Sequence, residues 1–160
     1  MFILRKQRMS DVTKAFQRYR EFIDQNKDRF PESVFELASS EWYFNPSDHK
    51  CPHDASLERL TVEEPSAGDR HEIRKVNIRI VLLAAYHDGY IEFFYDGVTK
   101  YSLEGAAVTE GHHDWKFDEF RLSDEGRVIH EIEWAGLSQT AHWIIEASNV
   151  TYDWKDKKGR

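Results

Sequence analysis

The chain has 160 residues, of which 40% are hydrophobic and 32% charged, with a net charge of −7. That length suits one domain with a real core, and ten Phe, seven Tyr and five Trp argue against disorder. The negative balance disfavours nucleic acid as a partner, since phosphate contacts need clustered Lys and Arg. The charge is uneven. Residues 1–30 carry eight Lys/Arg against four Asp/Glu, or +4, whereas residues 104–153 carry three against eleven, or −8.

Met1–Leu4 is too short for a signal-peptide core, and Arg5, Lys6 and Arg8 follow it rather than precede it. No apolar run reaches membrane-spanning length, so the expectation is a cytoplasmic chain with no membrane partner. Ser10 can cap a first helix. Val12, Ala15, Phe16, Tyr19, Phe22 and Ile23 form one apolar stripe, with Lys14, Gln17, Arg18, Arg20 and Glu21 facing water. Pro31 suits the start of a second helix with Val34, Leu37 and Ala38 on its inner side, and Phe30 and Trp42 pin its ends. The helical segment thus covers residues 10–41, and the polar stretch from Asn45 to Asp54 reads as a loop.

Strands fill residues 55–154. Leu57–Glu63 alternates, with Leu57, Arg59 and Thr61 against Glu58, Leu60 and Val62. Pro65–Asp69 is a turn. Val76–Tyr95 reads as a hairpin about a two-residue Asp88-Gly89 turn of type I′. This predicts Tyr86 opposite Ile91, Ala84 opposite Phe93 and Leu82 opposite Tyr95. It puts Val76, Ile78, Ile80, Leu82, Ala84 and Tyr86 on the inner face with Ile91, Phe93 and Tyr95. Asp96-Gly97 repeats the turn chemistry before a strand at Val98–Leu103, and Glu104–Gly111 reads as a loop. Trp115–Leu122 changes phase between Phe117 and Phe120 and suggests a bulge. Val128, His130, Ile132 and Trp134 share an inner face, and strands at Ala141–Ala147 and Val150–Trp154 follow. Short connections favour antiparallel neighbours. The fold class expected is α+β, with N-terminal helices packed on a largely antiparallel sheet meander in a single domain, 1–160.

Candidate chemistry is sparse. Cys51 is the only cysteine, so neither an internal disulfide nor a Cys-based zinc cage is possible. No GxGxxG or Walker pattern exists, and no cofactor is expected. Three His-Asp dipeptides, at His53, His87 and His113, offer imidazoles and carboxylates for a metal-dependent hydrolase. HD phosphohydrolases share only the dipeptide and are all-helical. His130, on an apolar face, reads as a core residue with its hydrogen bonds satisfied, or as a group lining a small-ligand pocket with Trp134. Asp118, Glu119, Glu131 and Glu133 supply an acidic sheet face for a basic protein partner. Tyr90, Phe94 and Tyr101, if exposed, would add an aromatic patch. Free sheet edges leave a homodimer open.

The segments His53-Asp54-Ala55-Ser56-Leu57, Phe94-Tyr95-Asp96-Gly97-Val98, His130-Glu131-Ile132-Glu133-Trp134 and the Ile145-Glu146 strand together resemble small uncharacterised bacterial β-rich proteins. Some of those look like immunity proteins of polymorphic toxin systems. The resemblance runs from His53 to Trp154 and leaves out the basic N-terminal helix. It implies a cytoplasmic, non-enzymatic, acidic binding module, and it carries over no catalytic residue.

Overall fold

The computed structural model describes residues 1–4, 11–105, 108–109, 111–136 and 139–157. Two helices precede the sheet: α1 (Val12–Gln25) and α2 (Glu32–Ser39). Ser10 lies outside the described residues. Asp11 takes the capping position, its Oδ1 accepting the Lys14 N–H at 3.1 Å. Tyr19 and Ile23 of the apolar stripe are buried, Phe16 and Phe22 are half-buried, and Val12 at the first turn is exposed. Val34, Leu37 and Ala38 of α2 are buried as the spacing requires.

The strands are β1 (Ser56–Glu63), β2 (Ser66–Ala67), β3 (Ile73–Arg74), β4 (Val76–Leu83), β5 (Gly89–Glu104), β6 (Asp114–Leu122), β7 (Val128–Ala135) and β8 (Thr140–Asp156). The fold is α+β with antiparallel pairing throughout these ladders, as the sequence indicates. The meander, however, closes on itself. Six strands form a barrel in the order β1-β4-β5-β8-β7-β6, and β2 and β3 make a small separate hairpin. Two long strands, β5 and β8, hold the halves together. Gly97 does not end β5. It sits at a positive φ of 60° where the register against β4 shifts, and the register against β8 shifts just beyond it, between Val98 and Lys100. The two expected C-terminal strands are likewise one continuous β8.

The β4–β5 hairpin keeps its faces but not its turn. Leu82 pairs with Ile91, Ile80 with Phe93 and Ile78 with Tyr95. The register is displaced from the Asp-Gly expectation by an even number of residues, so Ile78, Ile80, Leu82, Ala84, Ile91, Phe93 and Tyr95 still point inward and are buried. The connection is a longer loop. Ala84 N–H donates to Gly89 O at 3.0 Å, and His87 takes the left-handed conformation at φ 60°. Tertiary contacts explain the change. A Cβ on Gly89 would lie 2.1 Å from Trp154 Cζ2, so this glycine belongs to the packed strand. Tyr86, half-exposed, stacks on His49 at 4.1 Å and donates to Pro46 O at 3.1 Å.

Bulges decide two other faces. The β1–β4 register shifts between Leu57 and Arg59, so Leu57, Leu60 and Val62 pair with Leu82, Ile80 and Ile78. Strict alternation would have split Leu57 from Leu60. The phase change in β6 is a bulge between Trp115 and Phe117. Past it Asp118 pairs with Ile132 and Phe120 with His130, on the inner face.

Closure of the barrel is incomplete. β1 meets β6 only at Ser56–Asp114, extended by Asp54 N–H to Trp115 O at 2.8 Å and Trp115 N–H to Ala55 O at 2.9 Å. Beyond that point Phe120 N–H donates to the Tyr19 hydroxyl at 2.8 Å rather than to a strand. The helical segment therefore completes the wall at this seam. One core cluster joins Tyr19, Val34 and Tyr43 to Ile80, Phe93, Trp115, Ile132 and Ile145.

Gly89→Ala should destabilise the protein by about 1–3 kcal/mol through overpacking against Trp154. Gly105→Ala, whose Cβ meets nothing within 4 Å, should stay within about 0.5 kcal/mol. Paired urea denaturation curves check both.

Candidate functional site

The barrel core holds a polar cluster built on Asp118, which is 3% exposed. The β6 bulge turns both Trp115 and Asp118 inward, and Trp115 Nε1–H donates to Asp118 Oδ1 at 2.9 Å. Oδ2 accepts the Tyr43 hydroxyl at 2.6 Å and His130 Nε2–H at 2.8 Å. With Nε2–H directed at the carboxylate, Nδ1 on the other side of the ring pairs with the Tyr95 hydroxyl at 2.8 Å. His130 is fully buried and stacks on Phe120 at 4.0 Å, so its ring is satisfied at both nitrogens and on a face. Five side chains, from the short helical turn at Trp42–Phe44 and from β5, β6 and β7, thus share one hydrogen-bond chain.

Burial pushes the Tyr43 and Tyr95 hydroxyls well above their ordinary range, and the Asp118 charge raises both further. Tyr19 is raised by burial too, against the opposing bond from Phe120 N–H. Cys51 donates its S–H to Tyr43 O at 3.0 Å, and burial pushes its thiol up to about 12. A thiol held protonated is a poor nucleophile.

A cavity of about 330 Å³ opens beside this cluster, between the helical segment and β6. Its walls come from Phe16 of α1, Tyr43 and Phe44, the loop residues Pro46, Cys51, Pro52 and His53, and Trp115–Asp118 of β6. The rings stand at steep angles. Phe16 meets Phe44 at 5.5 Å and 69°, and Tyr43 meets Phe44 at 4.8 Å and 89°. Lys116 and His53 line the cavity as well, but both lie against the exposed Asp54, at 3.6 Å and 3.2 Å.

The acidic residues that the sequence places on one face divide between two. Asp118 points inward, and Glu119 and Glu131 pair on the outer side of β6 and β7. The expectation of exposed carboxylates is corrected: Glu119 is 0% exposed, and Glu131 and Glu133 are 6%. Glu119 Oε2 accepts the backbone N–H groups of Phe2, Ile3 and Leu4 at 2.9, 2.7 and 3.3 Å. Arg121 Nε lies 3.2 Å from Glu119 Oε1, without hydrogen-bond alignment, and its Nη2 bonds Glu131. His142 sits 3.7 Å from Glu131 and 3.6 Å from Glu133. The acidic face is therefore largely buried and partly satisfied, by Arg121 and by the chain's own backbone.

The three His-Asp pairs do not converge, and among the described residues no group of His, Cys, Asp and Glu could hold a metal. His53 contacts its own Asp54, whereas Asp88 pairs with His49. His113 lines a small recess with Trp134 and Trp143. Trp134 itself is packed in the core, 5.4 Å from Trp115 and 4.8 Å from Trp143. The open space lies instead on the Asp118 side of the cluster. Of the aromatic candidates, Tyr90 and Phe94 are half-buried under Lys157 and Arg79, and Tyr101 is 50% exposed.

No family model, curated protein or solved structure matches this chain. Among the described residues no helix is long and apolar enough to cross a membrane. The cavity walls contributed by Phe16, Tyr43, Phe44 and Cys51 escaped the sequence reading. The one available signal was the aromatic run Trp42-Tyr43-Phe44, too dense for an exposed loop.

Two outcomes follow from the cluster. Asp118→Ala strands the Tyr43, Trp115 and His130 donors in the core and should cost about 3–5 kcal/mol. Tyr43→Phe removes one donor and should cost about 1–2 kcal/mol. Denaturant titration ranks them. The raised groups also set an alkaline limit. In the unfolded chain Cys51 and the tyrosines lose protons near pH 8.5 and 10, while in the fold they keep them. Their contribution to stability is complete below about pH 8.5 and falls as pH rises beyond it. Phenolate absorbance from Tyr19, Tyr43 and Tyr95 should appear together with loss of far-UV circular dichroism, not before it.

Proposed function

We propose that this chain is a binding module whose ligand site is the cavity between the helical segment and β6. The observation that carries the reading is the cavity itself: about 330 Å³, aromatic and proline-walled, with the buried Asp118 in its lining. Ligand sites of this kind are mostly apolar and take their orientation from a few fixed polar groups. Asp118 is held by three donors, so it cannot turn away when a ligand arrives. The satisfied His130 and the high-lying Cys51 thiol favour binding over nucleophilic or acid–base chemistry.

A second reading keeps the protein-binding, immunity-type role. It is favoured by a shallow depression across β5, β8 and β7, where Tyr101 and Ile144 are exposed beside Lys100, Ser102, Ile129 and Glu146. A basic partner would have to find its acidic contacts elsewhere, since Glu131 and Glu133 are buried.

A small-fragment screen by protein-observed NMR separates the two. Binding at the cavity should shift Phe16, Phe44, Cys51, His53 and Phe117 together and leave Ile144 still. Shifts confined to Tyr101, Ile129 and Ile144 would transfer the function to the sheet surface.

A further inference from the structure

The chemistry of the cavity is more specific than its shape. Rings of Phe16, Tyr43, Phe44, Trp115 and Phe117 contribute to its lining, and Phe16 also meets Phe117 at 6.4 Å and 60°. The rings pack edge to face on one another, so they wall the cavity as an angled cluster rather than a flat stack. Their π faces carry partial negative charge, which attracts a cation most strongly where water is excluded. The Asp118 carboxylate, in the same lining, adds negative charge. Its donors are Tyr43, Trp115 and His130, and among the described residues no lysine or arginine forms a salt bridge with it. Among the described residues Oδ1 accepts a single bond, from Trp115, although a carboxylate oxygen has room for two. A low-dielectric setting magnifies the field of such a charge.

Lys116, the cationic side chain in the lining, does not cancel this field. Lys116 and His53 both lie against Asp54, and the chain as a whole carries −7. An approaching cation is drawn in, and an anion would meet Asp118.

We propose that the cavity recognises a small organic cation, a quaternary or methylated ammonium group, seated among the rings of Phe16, Phe44 and Phe117 with the Asp118 carboxylate behind it. The inference rests on the cavity being the ligand site and adds the ligand's charge and class. An ammonium wrapped in methyl groups suits the walls twice over. It buries apolar surface against rings and proline, and it spreads its charge over the π faces without needing hydrogen-bond partners there.

The test uses the full chain and isothermal titration calorimetry with choline chloride, compared with the uncharged isostere in which carbon replaces the quaternary nitrogen. Choline should bind about tenfold tighter or more, the worth of a desolvated cation–π contact. Phe44→Leu keeps the apolar volume but removes a ring, and should erase most of that preference while far-UV circular dichroism stays unchanged. Asp118→Asn should reduce it too, and Phe44→Leu decides the matter if the asparagine variant does not fold. Equal or tighter binding of the neutral isostere in the cavity would overturn the cation inference and leave the cavity as a site for apolar ligands. If neither compound enters and no fragment from the NMR screen does, the ligand-site reading falls with it.

Discussion

The Asp118 carboxylate is the constraint around which the molecule is arranged. A carboxylate in an aromatic core is tolerable only when donors surround it, and here Tyr43, Trp115 and His130 do so at 2.6–2.9 Å. Each donor arrives from a different part of the chain. Trp115 requires the β6 bulge, His130 the register of β7, and Tyr43 the docking of the helical segment. Tyr95 of β5 then satisfies the second nitrogen of His130. Forming the cluster therefore commits barrel and helices to one arrangement, and misplacing any of these pieces leaves a polar group stranded.

The same geometry explains why a cavity exists at this place. A fully paired barrel would carry β1 along the whole of β6. Here the pairing stops after Ser56–Asp114, and the rest of that edge is met by Tyr19, Tyr43 and their neighbours. Side chains fit a strand edge less evenly than another strand does. The space left between Phe16, Phe44, the Pro46–His53 loop and β6 is the consequence, and it opens beside the one inward-facing carboxylate among those the sequence reading singled out. Ligand site and structural keystone are thus neighbours for a topological reason. On the opposite side of β6, Glu119 anchors residues 2–4 through their backbone amides, so both faces of this strand serve in holding N-terminal chain in place.

The sequence by itself determined the class, the two helices and the inner faces of most strands, because these depend on periodicity and on local turn and cap chemistry. His130 among Val128, Ile132 and Trp134 was legible for that reason, and so was the bulge in β6, written in the phase change from Phe117 to Phe120. Only the tertiary structure decided what depends on contacts between distant segments. The Asp-Gly pair gave way to a longer loop because Trp154 packs on Gly89 and because Tyr86 stacks on His49. Bulges at Leu57–Arg59 and at Gly97 turned side chains that strict alternation would place otherwise. Closure of the sheet, burial of the acidic residues and the cavity walls drawn from α1 and the Pro46–His53 loop all follow from such pairings. Burial of a carboxylate depends on which donors surround it in space: for Asp118 these lie 3, 12 and 75 residues away, and only the bulge, the strand pairing and the packing of Tyr43 bring them together.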